Sequence, residues 1–323
     1  MTHSPEVEAV LAKARKEDLY FRLGAVAIIV TSGLVLGLAL PNDAKNEQPP
    51  WNTISAIIGW VYFAAWTVSF FPQIFMNHQR RSTAGLSYDY EALNIIGFCC
   101  YLAYNLAFYY NASIQRSYEE AHRGHDNNVQ MNDVLFSGLA VVLTVYTIGQ
   151  CVWFRKNTPN ERLSKLCMLL CTIYIVLVAA YALAIGTTTS TRPFFSWLYF
   201  VYFLSGVKVS ISFLKYIPQA FSNFKRKSTV GWNVFNVVLD LTGGTLSIAQ
   251  LVLDSWIEGD WSGITGDAAK LGLGMVSIVF DLLFIIQHYV LYKDRHDPAL
   301  IAAAHEQVNQ RDEENESLLT TAV

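Results

Sequence analysis

Seven apolar blocks, at 51–71, 87–110, 134–154, 166–186, 193–213, 232–253 and 271–292, each approach the ~20 residues a helix needs to cross a bilayer. With 53% apolar and 15% charged residues over 323 positions, the chain is too apolar for an ordinary soluble domain, and an all-α membrane bundle is expected. An eighth block, 21–40, follows a mixed-charge segment with Lys13, Arg15 and Lys16. Two readings fit it: an uncleaved signal-anchor helix, favoured by its length, and a signal peptide removed from the mature chain.

Between the blocks, lysine and arginine alternate. Arg80 and Arg81, then Arg155, Lys156, Arg162 and Lys165, then Lys225, Arg226 and Lys227, then Lys293 and Arg295 fall on one side. The other side holds Lys45, Arg116, Arg123, Arg192 and Lys270. The positive-inside rule makes the first set cytosolic, together with the C-terminus. Membrane lipid is the expected surrounding, and a net charge of -3 with no basic run outside short loops argues against a nucleic-acid partner. Cys99, Cys100, Cys151, Cys167 and Cys171 show neither metal-ligand spacing nor a pairing scheme, so no metal and no organic cofactor is expected.

An internal repeat sets the architecture. Without gaps, the stretch after Phe71 matches the stretch after Ile217 at Pro72/Pro218, Gln73/Gln219, Asn77/Asn223, Arg80/Arg226, Gly85/Gly231, Leu93/Leu239 and Gly97/Gly243. Both copies end a helix on the same side, so two parallel three-helix repeats joined by one inverting helix are expected, with the substrate between them. The implied division is 1–50 as N-terminal segment and linker, 51–154 as first repeat, 155–192 as inverting helix, 193–295 as second repeat and 296–323 as tail. Pro72 and Pro218 each remove a backbone donor, which suits a hinge as well as a plain kink. Gln73 and Gln219 are placed to take up the freed carbonyls.

Charge within the blocks marks function, since an ionised group at membrane depth costs roughly 2.5–3.5 kcal/mol on insertion scales. Lys215 and Asp240 lie in the second repeat, and Asp281 is mid-block without a sequence neighbour of opposite sign. The first repeat has Asn94 where the second has Asp240, so one half keeps a neutral amide and the other a titratable acid. Asn236 shares a helical face with Asp240. Lys208 and Lys215 lie two helical turns apart on one face, placed to tune that acid or pair with it. Asp133 opens a span, where it serves equally as a helix N-cap. Tyr62, Trp66 and Phe70 recur every fourth residue, a spacing that fits core packing as well as a cavity wall. Lys270 lies at a membrane edge, where snorkelling explains it too.

These motifs resemble the cystinosin family of PQ-loop transporters. The resemblance is carried by Gly59-Trp60-Val61-Tyr62-Phe63, both Pro-Gln loops, Asn132-Asp133-Val134-Leu135-Phe136, Asp240-Leu241-Thr242-Gly243-Gly244 and Ser277-Ile278-Val279-Phe280-Asp281, and it covers 51–295. It implies the seven-helix, SWEET-like three-plus-one-plus-three fold, to which the 21–40 block would add an N-terminal helix. It also implies proton-coupled export of L-cystine from a lysosomal or vacuolar lumen to the cytosol; the residues themselves offer no nucleophile–base pair, metal set or phosphate loop, so no enzymatic activity is expected. By resemblance, Asp240, Asp133 and Asp281 couple protons, and Tyr62, Trp66, Asn94, Lys208, Asn236, Asp240 and Lys270 contact substrate. A cationic amino-acid exporter and a non-transporting receptor on the same scaffold stand as alternatives.

The polar, acidic tail after Arg295 is expected to be disordered. Within it Glu314, Leu318 and Leu319 form a dileucine-like sorting signal suited to a clathrin adaptor on the cytosolic side.

Overall fold

The computed structural model describes residues 4–40, 48–121, 129, 131–158, 160–187, 193–258, 261, 268–293 and 298–321, and no strand occurs among them. Its helices are α1 (Pro5–Ala39), α2 (Trp51–Ser69), α3 (Phe71–Gln79), α4 (Tyr88–Tyr110), α5 (Ala112–Ala121), α6 (Met131–Trp153), α7 (Lys165–Thr187), α8 (Trp197–Arg226), α9 (Val234–Glu258), α10 (Ala268–Ile286) and α11 (Pro298–Thr321). Taking α2 and α3 as one run, eight are long and apolar enough to cross a membrane, the N-terminal one included. The protein is a multi-pass membrane protein.

The packing follows the sequence repeat. α4 pairs with α6, and α9 pairs with α10; between repeats, α2 lies along α9 and α8 along α4, so the first helix of each repeat is seated on the second helix of the other. α7 rests against α4 and α8 and is otherwise open to its surroundings. Polar links strengthen these seams: Ser55 donates to Asp254 and Gln250 Nε2 to the Ser55 carbonyl (3.0 Å), joining α2 to α9.

α1 starts earlier than its apolar block. Ser4 caps it, Pro5 occupies its first turn, and Lys13–Glu17 and Asp18–Arg22 pairs one turn apart carry the helix through the charged segment. Further along, small residues allow close approach to α2: a Cβ on Gly37 would lie 2.7 Å from Ile57 Cα.

One expectation is corrected. The tail is helical where disorder was expected: at intervals of four, Leu300, Ala304 and Val308 form an apolar stripe, and Ala304 and Val308 are buried against Val7 of α1. Average composition concealed that periodic stripe. The two prolines also differ. The helix is interrupted for one residue at Phe70, two before Pro72, whereas α8 runs unbroken through Pro218. Proline's fixed φ is compatible with a helix, and the turn before Pro218 is anchored sideways, by Lys215 to Asn94 and by Tyr216 to Asp240.

Candidate functional site

At the end of the molecule carrying the two Pro-Gln pairs, the PQ end, the loops after α3 and α8 meet back to back. Gly85 (φ +100) and Gly231 (φ +90) adopt a backbone that favours glycine, and a Cβ on either would come within 2.8 Å of the other's Cα. Arg81 and Lys227 also have positive φ, so the two loops trace the same turn.

Each glutamine bonds within its own repeat and across to the other. Gln73 Nε2 donates to Asn77 Oδ1 (2.8 Å) and to the Gly231 carbonyl (3.2 Å), while its oxygen accepts from Asn233 N–H (3.1 Å). Gln219 Nε2 donates to Asn223 Oδ1 (3.0 Å) and to the Gly85 carbonyl (3.1 Å), while its oxygen accepts from Ser87 N–H (2.8 Å). The asparagines extend each chain to the third helix, Asn77 to Gln150 and Asn223 to Gln287, both at 3.0 Å. Gln287 begins a wider π-type turn after α10. The glutamines therefore hold the opposite repeat's loop, where sequence reasoning had them serving carbonyls freed by the adjacent proline. Both amide hydrogens and the oxygen of each are used, leaving little freedom to rearrange without opening the seam.

Inside this closure lies a cavity of about 400 Å³, running from Gln73 and Trp232 toward Tyr118 and Val129 near the opposite end. That volume suits a small organic solute. Tyr62, Trp66, Asn94 and Asp133 line it from the first repeat; Lys208, Lys215, Asn236, Asp240 and Asp281 line it from the second. Asp240 Oδ2 accepts from Tyr216 Oη (2.8 Å) and Ser277 Oγ (3.3 Å), which ties α9 to α8 and α10. Lys215 Nζ donates to Asn94 Oδ1 (3.2 Å) across the repeat boundary and lies 4.7 Å from the Tyr216 ring centroid. Lys208 Nζ sits 3.8 Å over the Phe98 ring. Tyr62 packs edge-on against Trp66 at 5.2 Å, and Trp66 contacts Phe136, so the aromatic stripe faces the cavity.

Several polar atoms in this wall have no hydrogen-bond partner among the described residues: Ser212 Oγ, Trp232 Nε1 and Asp281 Oδ2. Buried groups of that kind are costly unless a ligand or water meets them. Asp133 lies in the first turn of α6 and its carbonyl accepts from Asn105 (3.1 Å). Pro72, Pro218 and Gln219 flank the cavity at the PQ end without lining it. Lys270 is in α10 and Glu314, Leu318 and Leu319 are in α11, but their side chains lie outside the described residues.

Sequence reasoning missed Glu91, Tyr90, Tyr216, Ser277, Gln150 and Gln287. Glu91 was visible as an acid inside a block. Gln150 and Gln287 fall beyond the ungapped match, at a different spacing from their prolines, so only the folded chain pairs them.

The PQ-loop repeat family matches residues 54–114 and 200–259. A cystinosin homolog of Dictyostelium discoideum is 43% identical over 242 residues, 75% of this chain and 82% of the relative. Cystinosin of Drosophila melanogaster is 43% identical over 240 residues, 74% of this chain, which spans 58% of that relative's length. A cystine transporter of Saccharomyces cerevisiae is 27% identical over 263 residues, covering 76% of this chain and 97% of the relative. The chain belongs to the cystinosin family of PQ-loop proteins.

Proposed function

We propose that this protein carries L-cystine across a lysosomal or vacuolar membrane to the cytosol, driven by protons moving the same way. The names of its relatives support cystine as substrate. The observation that carries the mechanism is an asymmetric one: where the repeats meet, the second supplies Asp240 and the first Asn94 at the same position, on one cavity with Lys208 and Lys215. Cystine has two ammonium and two carboxylate groups; carboxylates and lysines facing one space, between aromatic walls, offer both partners. Asp133, toward the far end, and Asp281, deep in the wall, extend a path of acids on either side of Asp240. A proton on Asp240 would alter its bonds to Tyr216 and Ser277, and with them the contact of α9 with α8 and α10.

Alternating access then amounts to breaking the PQ-end seam and closing the opposite end. With the PQ end cytosolic, a molecule shut at that end would be the one that loads from the lumen. The tail's dileucine-like residues would bring the protein to that compartment through a clathrin adaptor.

Reconstituted flux of labelled cystine against an imposed pH difference tests substrate and coupling together. Uptake that rises when the side from which cystine enters is acidified is expected. Flux indifferent to the gradient overturns the coupling, lysine or arginine flux in place of cystine overturns the substrate, and binding without flux points to a receptor.

A further inference from the structure

The transport reading gives Glu91 no task. This carboxylate lies in the first turn of α4, three residues before Asn94 and on the same helical face, 6% exposed and lining the cavity. Its counterpart in the second repeat is Val237, so the second helix of each repeat brings one acid to the cavity wall, the two displaced by one turn.

The charges nearby do not balance. Glu91, Asp240 and Asp281 face Lys208 and Lys215, and no ion pair within 4 Å joins any of the five among the described residues. An uncompensated charge in such a place is expensive, and a proton held by the three acids removes it. Asp240 already accepts two hydroxyl hydrogens, whereas no hydrogen bond to the Glu91 carboxylate occurs among the described residues. The titratable groups around Glu91 are Tyr90 on its own helix, Lys215 from α8 and Cys151 from α6; Asp240 from α9 and Asp281 from α10 act on the same Tyr90 and Lys215.

Position supplies a way out for the proton. Four residues before Glu91, Ser87 N–H donates to Gln219 of the other repeat, so the start of α4 is part of the PQ-end seam. We propose that Glu91 is a second proton-carrying acid: its carboxyl O–H is intact while the PQ end is shut, and when the cross-repeat bonds break the proton passes to water on that side. The carboxylate left behind faces the Lys215 ammonium. This rests on the proton-coupled reading above.

The test is Glu91→Gln in proteoliposomes, reading proton flux with a trapped pH dye beside labelled cystine flux. A lower ratio of protons to cystine is expected, together with loss of a protonated-carboxyl stretch from the infrared spectrum; Glu91→Asp should retain both signals. Glu91→Leu serves if the glutamine variant fails to reach the membrane. An unchanged ratio with an unchanged infrared band overturns the proposal. Weaker cystine affinity at an unchanged ratio also overturns it, and makes Glu91 a substrate ligand. A wild type that moves cystine without protons removes the coupled reading and this one together, so the two failures are distinguishable.

Discussion

The two repeats share the same glutamine–asparagine–glutamine chain at the PQ end and disagree one or two turns deeper. Gln73, Asn77 and Gln150 are matched by Gln219, Asn223 and Gln287 within about 0.2 Å. In the cavity, Ser69 stands opposite Lys215, Glu91 opposite Val237 and Asn94 opposite Asp240. A seam that opens about a two-fold axis needs two equal halves, since unequal ones would open one loop before the other. Chemistry on a directional gradient needs the reverse, a charge present on one side only. Symmetry and its loss thus divide the molecule into gate and coupling site.

The largest effect should come from removing that asymmetry. Asp240→Asn gives both repeats an amide, and response to a pH gradient is expected to fall by more than about tenfold; full proton-driven accumulation would break the comparison. Asn94→Asp does the opposite, bringing a carboxylate to within hydrogen-bond reach of Lys215 Nζ, which now donates to Asn94 at 3.2 Å. A buried charge pair across the repeat boundary should hold the two halves together and slow turnover. Faster turnover would show that this boundary does not move.

How much of this was legible follows from the same division. Features with a local signature could be read in the sequence: span length, the Pro-Gln match, and the Asn94/Asp240 exchange, which is one aligned position. The partners of the glutamines could not, because Gly231 and Asn233 are far from Gln73 in the chain and join it only after α2 seats against α9. Glu91 went unweighed because its opposite number, Val237, gives an alignment no polar pair to notice. The α11 stripe was hidden by acidic neighbours, and the continuity of α8 through Pro218 depends on sideways anchors that no local rule contains.

A smaller effect is expected at the gate. Gln219→Ala leaves Ser87 N–H without its partner, and Gln73→Ala does the same to Asn233 N–H and the Gly231 carbonyl. Each buried group left unpaired costs roughly 1–3 kcal/mol, which should raise the PQ-open population about tenfold. Labelling of an introduced Asn236→Cys by an impermeant thiol reagent from the PQ side reads that population. Gln73→Ala should have the larger effect, since it also orphans the Gly231 carbonyl, whereas the Gly85 carbonyl keeps Arg226 (3.1 Å); a larger effect of Gln219→Ala would break this account of the seam.

The smallest effect concerns a contact that the first loop makes with the tail. Arg81 in the first loop reaches Glu306 of α11 at 3.6 Å, while its counterpart Lys227 lies 3.6 Å over its own Phe224 ring. The ion pair is exposed on both sides, so Glu306→Gln should change stability by less than about 1 kcal/mol. Val308→Asp is a stronger probe of the same attachment, because it puts a carboxylate into the buried contact with Val7 and Ala304. Hydrogen exchange in α11 should rise sharply for Val308→Asp and barely for Glu306→Gln. If detaching α11 changes the gating of Gln73→Ala but not of Gln219→Ala, the tail biases only the first loop; if it changes neither, the gate is set by the repeats alone.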